Sequence, residues 1–152
     1  MDKTYLQRSI ELAKESVEKG GFPAGAVVVK DGEVIAEGIS IGAVLHDPTS
    51  HAETAAIREA CKKLQTTDLT GATLYESIEC CNMCFSVAYW AGVSRIVYAC
   101  RKTPEMVNKF FYEGMTNNKE INDSNNRKIE LIFIPDFEQE SIEAIKYWEK
   151  HL

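Results

Sequence analysis

The sequence lacks both a long hydrophobic run and an excess of positive charge. No segment approaches the roughly 18 consecutive apolar residues that span a bilayer, and the start, Met1-Asp2-Lys3-Thr4-Tyr5, leads into an amphipathic pattern without an apolar leader. With 17 basic against 23 acidic residues, the formal net charge is -6, which does not favour a protein that mainly neutralises phosphates. We therefore expect a cytoplasmic protein that acts on a small molecule rather than on nucleic acid or a membrane.

The cysteine content does not favour a disulfide framework. There are five cysteines, an odd number, and Cys80 and Cys81 are adjacent. Without a secretion signal, such cysteines are more typical of free thiols or metal ligands. The 152 residues, of which 45% are hydrophobic, suffice for one core, so we predict a single domain over residues 1–152.

The first third of the sequence predicts a helix followed by a hairpin. Residues 2–19 carry apolar side chains on one helical face, with Asp2 as the expected N-cap and Gly20 as the stop; these apolar residues are Leu6, Ile10, Ala13 and Val17. Two strands, 24–29 and 33–37, flank Asp31-Gly32, a strong hairpin signal.

The rest of the sequence alternates helices and strands. In order, the pattern predicts a loop at 39–50, a helix at 52–64, a strand at 73–75, a helix at 81–91, a strand at 94–99, a short helix within a surface excursion at 102–128, a strand at 128–134 and a final helix to about 151. Asp136 and Gln139 are the expected capping box of that final helix. These elements predict an α/β fold, a three-layer α/β/α sandwich around a mixed sheet of about five strands.

Two short motifs lie where helices are predicted to begin. His51-Ala52-Glu53 supplies an imidazole, and Cys81-Asn82-Met83-Cys84 supplies two thiols in a C-x-x-C spacing. One histidine and two cysteines suit Zn²⁺ and leave a fourth tetrahedral position free, as catalytic zinc sites do.

Each motif also has a purely structural interpretation. A single histidine is often a surface or capping residue, and two cysteines three residues apart share a helix face and pack well in a core. Ser50-x-x-Glu53 matches a capping box, in which the Glu53 carboxylate would bond only a backbone N–H group.

Taken together, the two motifs match the H-x-E and C-x-x-C signature of zinc deaminases. The sequence resembles the cytidine deaminase superfamily over about residues 5–100, and its nucleobase and tRNA-adenosine deaminase branch in particular. Within that branch it looks most like bacterial guanine deaminases. The supporting segments are Pro23-Ala24-Gly25-Ala26, Asp47-Pro48-Thr49, Ala55-Ala56-Ile57-Arg58, Ala88-Tyr89-Trp90-Ala91 and Lys119-Glu120-Ile121.

The resemblance implies one Zn²⁺ per chain, a homodimer and a C-terminal segment that closes the pocket. His51, Cys81 and Cys84 would hold the metal, which would activate a water molecule. Glu53 would accept the proton of that water and pass it to the substrate and to the departing ammonia. The N–H groups at the two helix starts, around Ala52 and Cys81, would stabilise the developing oxyanion.

The implied reaction is hydrolytic deamination of a free nucleobase or similar amino-heterocycle, with guanine to xanthine as the first choice. Two alternatives of the same class are tRNA adenosine deaminase and cytosine deaminase. The acidic balance of residues 138–152 disfavours RNA. An alternative of another class is a non-catalytic protein in which zinc only joins two helices.

Two positions depart from the family pattern. Cys80 stands where relatives have proline, and three roles are open to it: a bystander, a competing ligand, or a fourth ligand that closes the site. Ile41 aligns with an asparagine that contacts substrate in relatives. The candidate substrate contacts of this chain are Ala52, Ser40, Trp90, Tyr112 and Glu113.

Overall fold

A five-stranded mixed sheet forms the centre of the protein in the computed structural model, which describes residues 1–152. The strand order is β2-β1-β3-β4-β5. β1 pairs antiparallel with β2 and β3, whereas β3, β4 and β5 run parallel to one another. The strands are β1 Phe22–Lys30, β2 Glu33–Ser40, β3 Thr73–Glu76, β4 Arg95–Tyr98 and β5 Glu130–Phe133.

Seven helices surround this sheet. They are α1 Asp2–Glu18, α2 Gly42–Leu45, α3 Ala52–Leu64, α4 Asn82–Trp90, α5 Pro104–Asn108, α6 Asn118–Ser124 and α7 Glu138–Lys150. The long ones, α1, α3, α4 and α7, lie where the sequence predicts helices. None of them is both long and apolar enough to cross a bilayer.

The two faces of the sheet are covered by different helices because strand side chains alternate. On β1, Val27 and Val29 belong to the cluster that contains Leu6 and Ile10 of α1. Ala26 and Val28 point to the opposite cluster, to which α3 and α4 contribute; it includes Ala56, Ile57, Phe85 and Ala88. This arrangement confirms the predicted three-layer α/β/α sandwich.

The hairpin between β1 and β2 turns at the predicted dipeptide. Asp31 and Gly32 both have positive φ angles, 52° and 75°, as a two-residue type I′ turn requires. Lys30 pairs with Glu33 on either side of it. The local sequence was therefore sufficient to place this turn.

The predicted caps of the first and last helices are wrong, because both aspartates bind basic side chains instead. Asp2 lies inside α1, where its carboxylate accepts hydrogen bonds from the Tyr75 hydroxyl (2.6 Å) and from Arg95 (3.0 Å). Asp136 lies in a 3-10 turn before α7 and pairs with Lys3 at 2.7 Å. Tertiary ion pairs thus replaced the local capping interactions.

A close backbone approach places the start of α3 against β2. A Cβ atom at Gly38 would lie 2.1 Å from the Ala52 carbonyl oxygen, so only glycine allows this contact. Because Ala52 follows His51, the contact fixes the helix start that carries the first motif.

Candidate metal centre and adjoining cavity

The three predicted metal ligands lie together at the starts of α3 and α4. The ligand atoms of His51, Cys81 and Cys84 are all within 4.8 Å of one another, and Cys81 Sγ lies 3.4 Å from His51 Nδ1. A sulfur at ~2.3 Å and a nitrogen at ~2.05 Å from a tetrahedral zinc ion would be about 3.6 Å apart. The donor set and its spacing therefore fit zinc.

The three ligand groups interact with one another and shift one another's pKa values. The thiol of Cys84 donates a hydrogen bond to Cys81, and His51 lies beside it, so the pKa of Cys81 is lowered to about 5. The same pair of interactions raises the pKa of Cys84 and that of His51. Cys81 is therefore a preformed thiolate ligand, whereas Cys84 and His51 must release a proton when they bind a metal, as metal binding to such ligands requires.

The ligands come from helix N-termini, where the helix dipole favours negative charge. His51 and Cys81 are the N-cap residues of α3 and α4, and neither helix has a bond from its own N-cap side chain. At α4, the Glu113 carboxylate accepts hydrogen bonds from the backbone N–H groups of Asn82 (3.2 Å) and Met83 (3.1 Å). The sequence analysis expected N–H groups at both helix starts to donate to an oxyanion. These two N–H groups of α4 already donate to Glu113, so they are not available for that role.

Two neighbouring side chains shape the ligand set. The Thr54 hydroxyl lies 3.2 Å from Cys84 Sγ and holds this ligand in place; the sequence offered no signal for Thr54 beyond its position in the first turn of α3. Cys80 is not part of the ligand group, because its sulfur and carbonyl oxygen face the Asn118 amide, at 3.5 and 3.0 Å. Of the three roles open to Cys80, the arrangement favours the bystander.

Glu53 is a buried carboxyl group beside the metal ligands. It is only 4% exposed, and burial together with the negative charge of Cys81 raises its pKa to about 7. The capping-box interpretation is wrong, because Glu53 is the second residue of α3. The Ser50 hydroxyl instead accepts a hydrogen bond from Arg58 at 3.3 Å.

A cavity of about 320 Å³ opens beside this group. Aromatic side chains contribute to its wall, which suits a flat heterocycle; they are Phe22, Phe110, Phe111, Tyr112 and Trp148. Further wall residues were not among the predicted contacts. They include four apolar or aromatic residues, Phe22, Ile78, Phe111 and Trp148, and two charged ones, Glu79 and Lys109. Trp148 lies on α7, and the only sequence signal for it was the expectation that the C-terminal segment closes the pocket.

The five predicted substrate contacts have separate outcomes. Ser40 and Tyr112 line the cavity. Ala52 is fully buried and lies outside the cavity wall, and Glu113 caps α4. Trp90 is not part of the cavity wall; its side chain is 80% exposed at the end of α4 opposite to the cysteine ligands, and its contact with a substrate stays a prediction.

Ser40 also clarifies the departure at Ile41. Ser40 ends β2, where its backbone N–H donates to Ser16 Oγ at 3.0 Å, and it faces the cavity. Ile41 is the N-cap of α2 and does not line the cavity. The missing asparagine therefore leaves Ser40 as the polar side chain that β2 presents to a ligand.

The sequence matches one protein-family model, and its similar curated relatives include a guanine deaminase and a tRNA-specific adenosine deaminase. A family model described as the cytidine and deoxycytidylate deaminase zinc-binding region matches residues 1–100. Guanine deaminase of Bacillus subtilis is 47% identical over 102 residues, which cover 66% of this chain and 65% of the relative. A tRNA-specific adenosine deaminase of Aquifex aeolicus is 39% identical over 100 residues, 65% of this chain and 66% of the relative.

A solved structure gives the same picture for the fold. A chain from a study of A-to-I editing by tRNA:A34 deaminases superimposes with a TM-score of 0.78 at 29% identity. The match covers 93% of the present chain and 99% of the other. The sequence matches, in contrast, span slightly less than two thirds of the length of each curated relative.

Proposed function

Because the chain belongs to the family defined by the cytidine and deoxycytidylate deaminase zinc-binding region, we propose that it deaminates a free nucleobase. The reaction converts guanine and water to xanthine and ammonia. The observation that carries the proposal is the buried Glu53 carboxyl beside the His51, Cys81 and Cys84 group, at the wall of a cavity the size of a small ligand.

The side chains divide the work of such a hydrolysis. Zinc, when held by His51, Cys81 and Cys84, would supply the Lewis acidity that activates water. Glu53, with a pKa raised to about 7 by burial, is suited to accept a proton and return it near neutral pH. It would protonate a ring nitrogen of the substrate and then the departing amine. The aromatic wall excludes bulk water and holds the heterocycle flat.

Two observations support a free base over RNA. The curated relative with 47% identity is a guanine deaminase. In addition, α7 borders the cavity through Trp148 and carries four glutamates, Glu138, Glu140, Glu143 and Glu149, against Lys146 and Lys150. Glu138, Glu140 and Glu149 pair with Arg101, Lys14 and Lys109, so α7 offers no excess of positive charge to a phosphate backbone.

Adenosine in tRNA is the second candidate substrate. The relative from Aquifex aeolicus is 39% identical and is a tRNA-specific adenosine deaminase. Binding of tRNA in a gel-shift assay, with inosine formation, would favour this candidate over the free base. Cytosine is tested in the same assay as guanine.

The proposal includes a homodimer and a cytoplasmic location. All five cysteines are free thiols, which suits a reducing compartment. Sedimentation of the purified protein would test the dimer.

The test of the proposed reaction is ammonia release from guanine, adenine, cytosine, pterins and triazines, combined with a count of bound zinc. We expect release from guanine, and we expect Glu53→Gln to lower kcat by about 10²- to 10⁴-fold while zinc remains bound. Glu59→Gln is the matched control, because Glu59 is an exposed carboxylate of α3 outside the cavity. Absence of release from every compound would refute the proposal and favour the non-catalytic alternative.

A further inference from the structure

Glu79 is a second buried carboxylate in the cavity wall. It is 9% exposed and lies in the loop between β3 and α4, two residues before Cys81. Three hydrogen bonds fix its position. Its N–H donates to the Cys100 carbonyl at 2.7 Å, its carbonyl accepts from the Tyr112 hydroxyl, and Oε1 accepts from the Lys102 N–H at 3.0 Å.

The other carboxylate oxygen of Glu79 has no protein partner. Glu79 forms no salt bridge within 4.0 Å, and Oε2 is not among the polar atoms sealed from solvent. Glu79 lines the cavity, so Oε2 presents its lone pairs to that space. Because water can reach Oε2 in the empty cavity, a bound ligand displaces that water, and a ligand N–H group in its place keeps the acceptor hydrogen-bonded, whereas an N–CH₃ group leaves it without a donor.

The charge of the cavity gives the kind of ligand. Glu53 and Glu79 are its two carboxylates, Lys109 is its one lysine or arginine, and His51 belongs to the metal-ligand group. The Lys109 ammonium already pairs with Glu149 at 2.9 Å and with Glu105 at 3.1 Å, so it is not available for an anion. The cavity therefore favours a neutral or cationic ligand that is rich in N–H donors.

We propose that Glu79 determines substrate specificity by accepting a hydrogen bond at Oε2 from a substrate N–H group other than the amine that leaves. The substrates are then amino-heterocycles with a ring N–H or a second amino group, and heterocycles that carry a phosphate or carboxylate are excluded. This inference rests on the proposed deaminase function and adds the rule by which the site selects among its substrates.

A conservative variant separates this role from a structural one. In Glu79→Gln, the side-chain oxygen can still accept from the Lys102 N–H, while the NH₂ group takes the place of Oε2. The change therefore keeps the loop anchored and turns an acceptor into a donor at the cavity. A purely structural role would predict the same loss for every ligand.

The experiment measures binding by equilibrium dialysis and kcat/KM by ammonia release. The probes are guanine, adenine and cytosine, each compared with its mono-N-methyl isomers, in which one N–H is replaced by N–CH₃. We expect one methyl isomer to bind the unmodified protein about 10- to 100-fold more weakly than its parent base, the worth of a charge-assisted hydrogen bond. In Glu79→Gln the parent base and this methyl isomer should bind with nearly equal affinity, so the ratio of their Kd values approaches one. In Glu59→Gln the ratio should stay as in the unmodified protein.

Three outcomes overturn the inference about Glu79. A parent-to-methyl ratio unchanged in Glu79→Gln, or an equal loss for all ligands, assigns Glu79 a structural role. Equal binding of every methyl isomer by the unmodified protein overturns it without reliance on any variant. Selective binding without ammonia release from any base would instead refute the proposed reaction and leave the recognition role supported, and absence of binding of all three bases would refute both.

Discussion

Glu76 is a carboxyl group sealed inside the protein at the end of β3. Its side chain is completely buried; Oε1 accepts a hydrogen bond from the Cys80 N–H at 3.0 Å, and Oε2 has no partner. Burial and the nearby Glu53 raise the pKa of Glu76 well above its usual value of 4.5. Glu76 is therefore held in its neutral form, a role that its place in a short strand sequence did not indicate.

The neutral Glu76 makes stability depend on pH. The carboxyl ionises readily in the unfolded chain above 4.5 but resists ionisation in the fold, so its contribution is fully present below 4.5 and is lost as pH rises through the raised folded pKa. The slope from one such group is up to about 1.4 kcal/mol per pH unit. We expect Glu76→Gln, which keeps the bond to Cys80, to remove this slope and to be relatively more stable at alkaline pH.

Thermal unfolding of both proteins between pH 5 and 9 would measure this difference. The control is Glu59→Gln, an exposed carboxylate that should leave the slope unchanged. Parallel curves for Glu76→Gln and the unmodified protein would contradict the assignment of a neutral Glu76.

At the scale of elements, the contact between β2 and α3 depends on Gly38. A Cβ atom there would lie 2.1 Å from the Ala52 carbonyl and 2.7 Å from the Ala56 nitrogen, and these are backbone atoms of α3. We expect Gly38→Ala to lower the free energy of unfolding by about 3 kcal/mol or more and to weaken zinc binding, since α3 begins at His51.

Denaturant unfolding and zinc titration would test the Gly38 prediction. Gly114→Ala is the matched control, because a Cβ at Gly114 meets no atom within 4 Å. Equal stability of the two variants would show that β2 and α3 separate without cost.

The C-terminal helix α7 contributes one wall of the cavity through Trp148. The Trp148 ring lies 5.0 Å from that of Phe22 and 5.7 Å from that of Phe111, so three aromatic rings surround one side of the space. We expect Trp148→Ala to raise KM about 10-fold or more through loss of this packing surface, with a smaller change in kcat.

Trp90→Ala provides the comparison for Trp148, because Trp90 is 80% exposed and outside the cavity. Steady-state kinetics of the two variants should differ, with Trp90→Ala close to the unmodified protein. A larger effect at Trp90 would place the substrate elsewhere.

At the scale of the whole molecule, the metal ligands join two helices from different parts of the chain. His51 is the N-cap of α3, whereas Cys81 and Cys84 lie at the start of α4. If zinc binds the folded protein and not the unfolded chain, it raises the free energy of unfolding. The increase is about 4 kcal/mol when the free zinc concentration is 1,000-fold above the Kd. We expect chelation to abolish activity and to lower Tm by about 10 °C.

Calorimetry with a chelator, followed by addition of zinc or magnesium, would check this prediction. Zinc should restore Tm and activity, and magnesium should not, because thiolate ligands do not suit it. Cys84→Ser should start at the lower Tm and respond little to the chelator. Recovery with magnesium would contradict the assigned ligand set.

The sequence by itself determined the features that depend on local pattern. The Asp31-Gly32 turn, the helix at Ala52–Leu64 and the three-layer order of elements follow from turn chemistry and from apolar periodicity. The C-x-x-C spacing of Cys81 and Cys84, with the imidazole of His51 in a second motif, indicated a zinc-ligand set from the ligand types alone. These inferences needed no long-range contact.

Only the tertiary structure decided which side chains meet across distant segments. It brought Glu79 and Trp148 into the cavity wall and moved Trp90 away from it. It also released Glu53 from a capping role and turned Cys80 towards Asn118. The physical reason is that burial, charge pairing and the partners of a polar atom are set by how elements pack, and a local pattern does not contain that information.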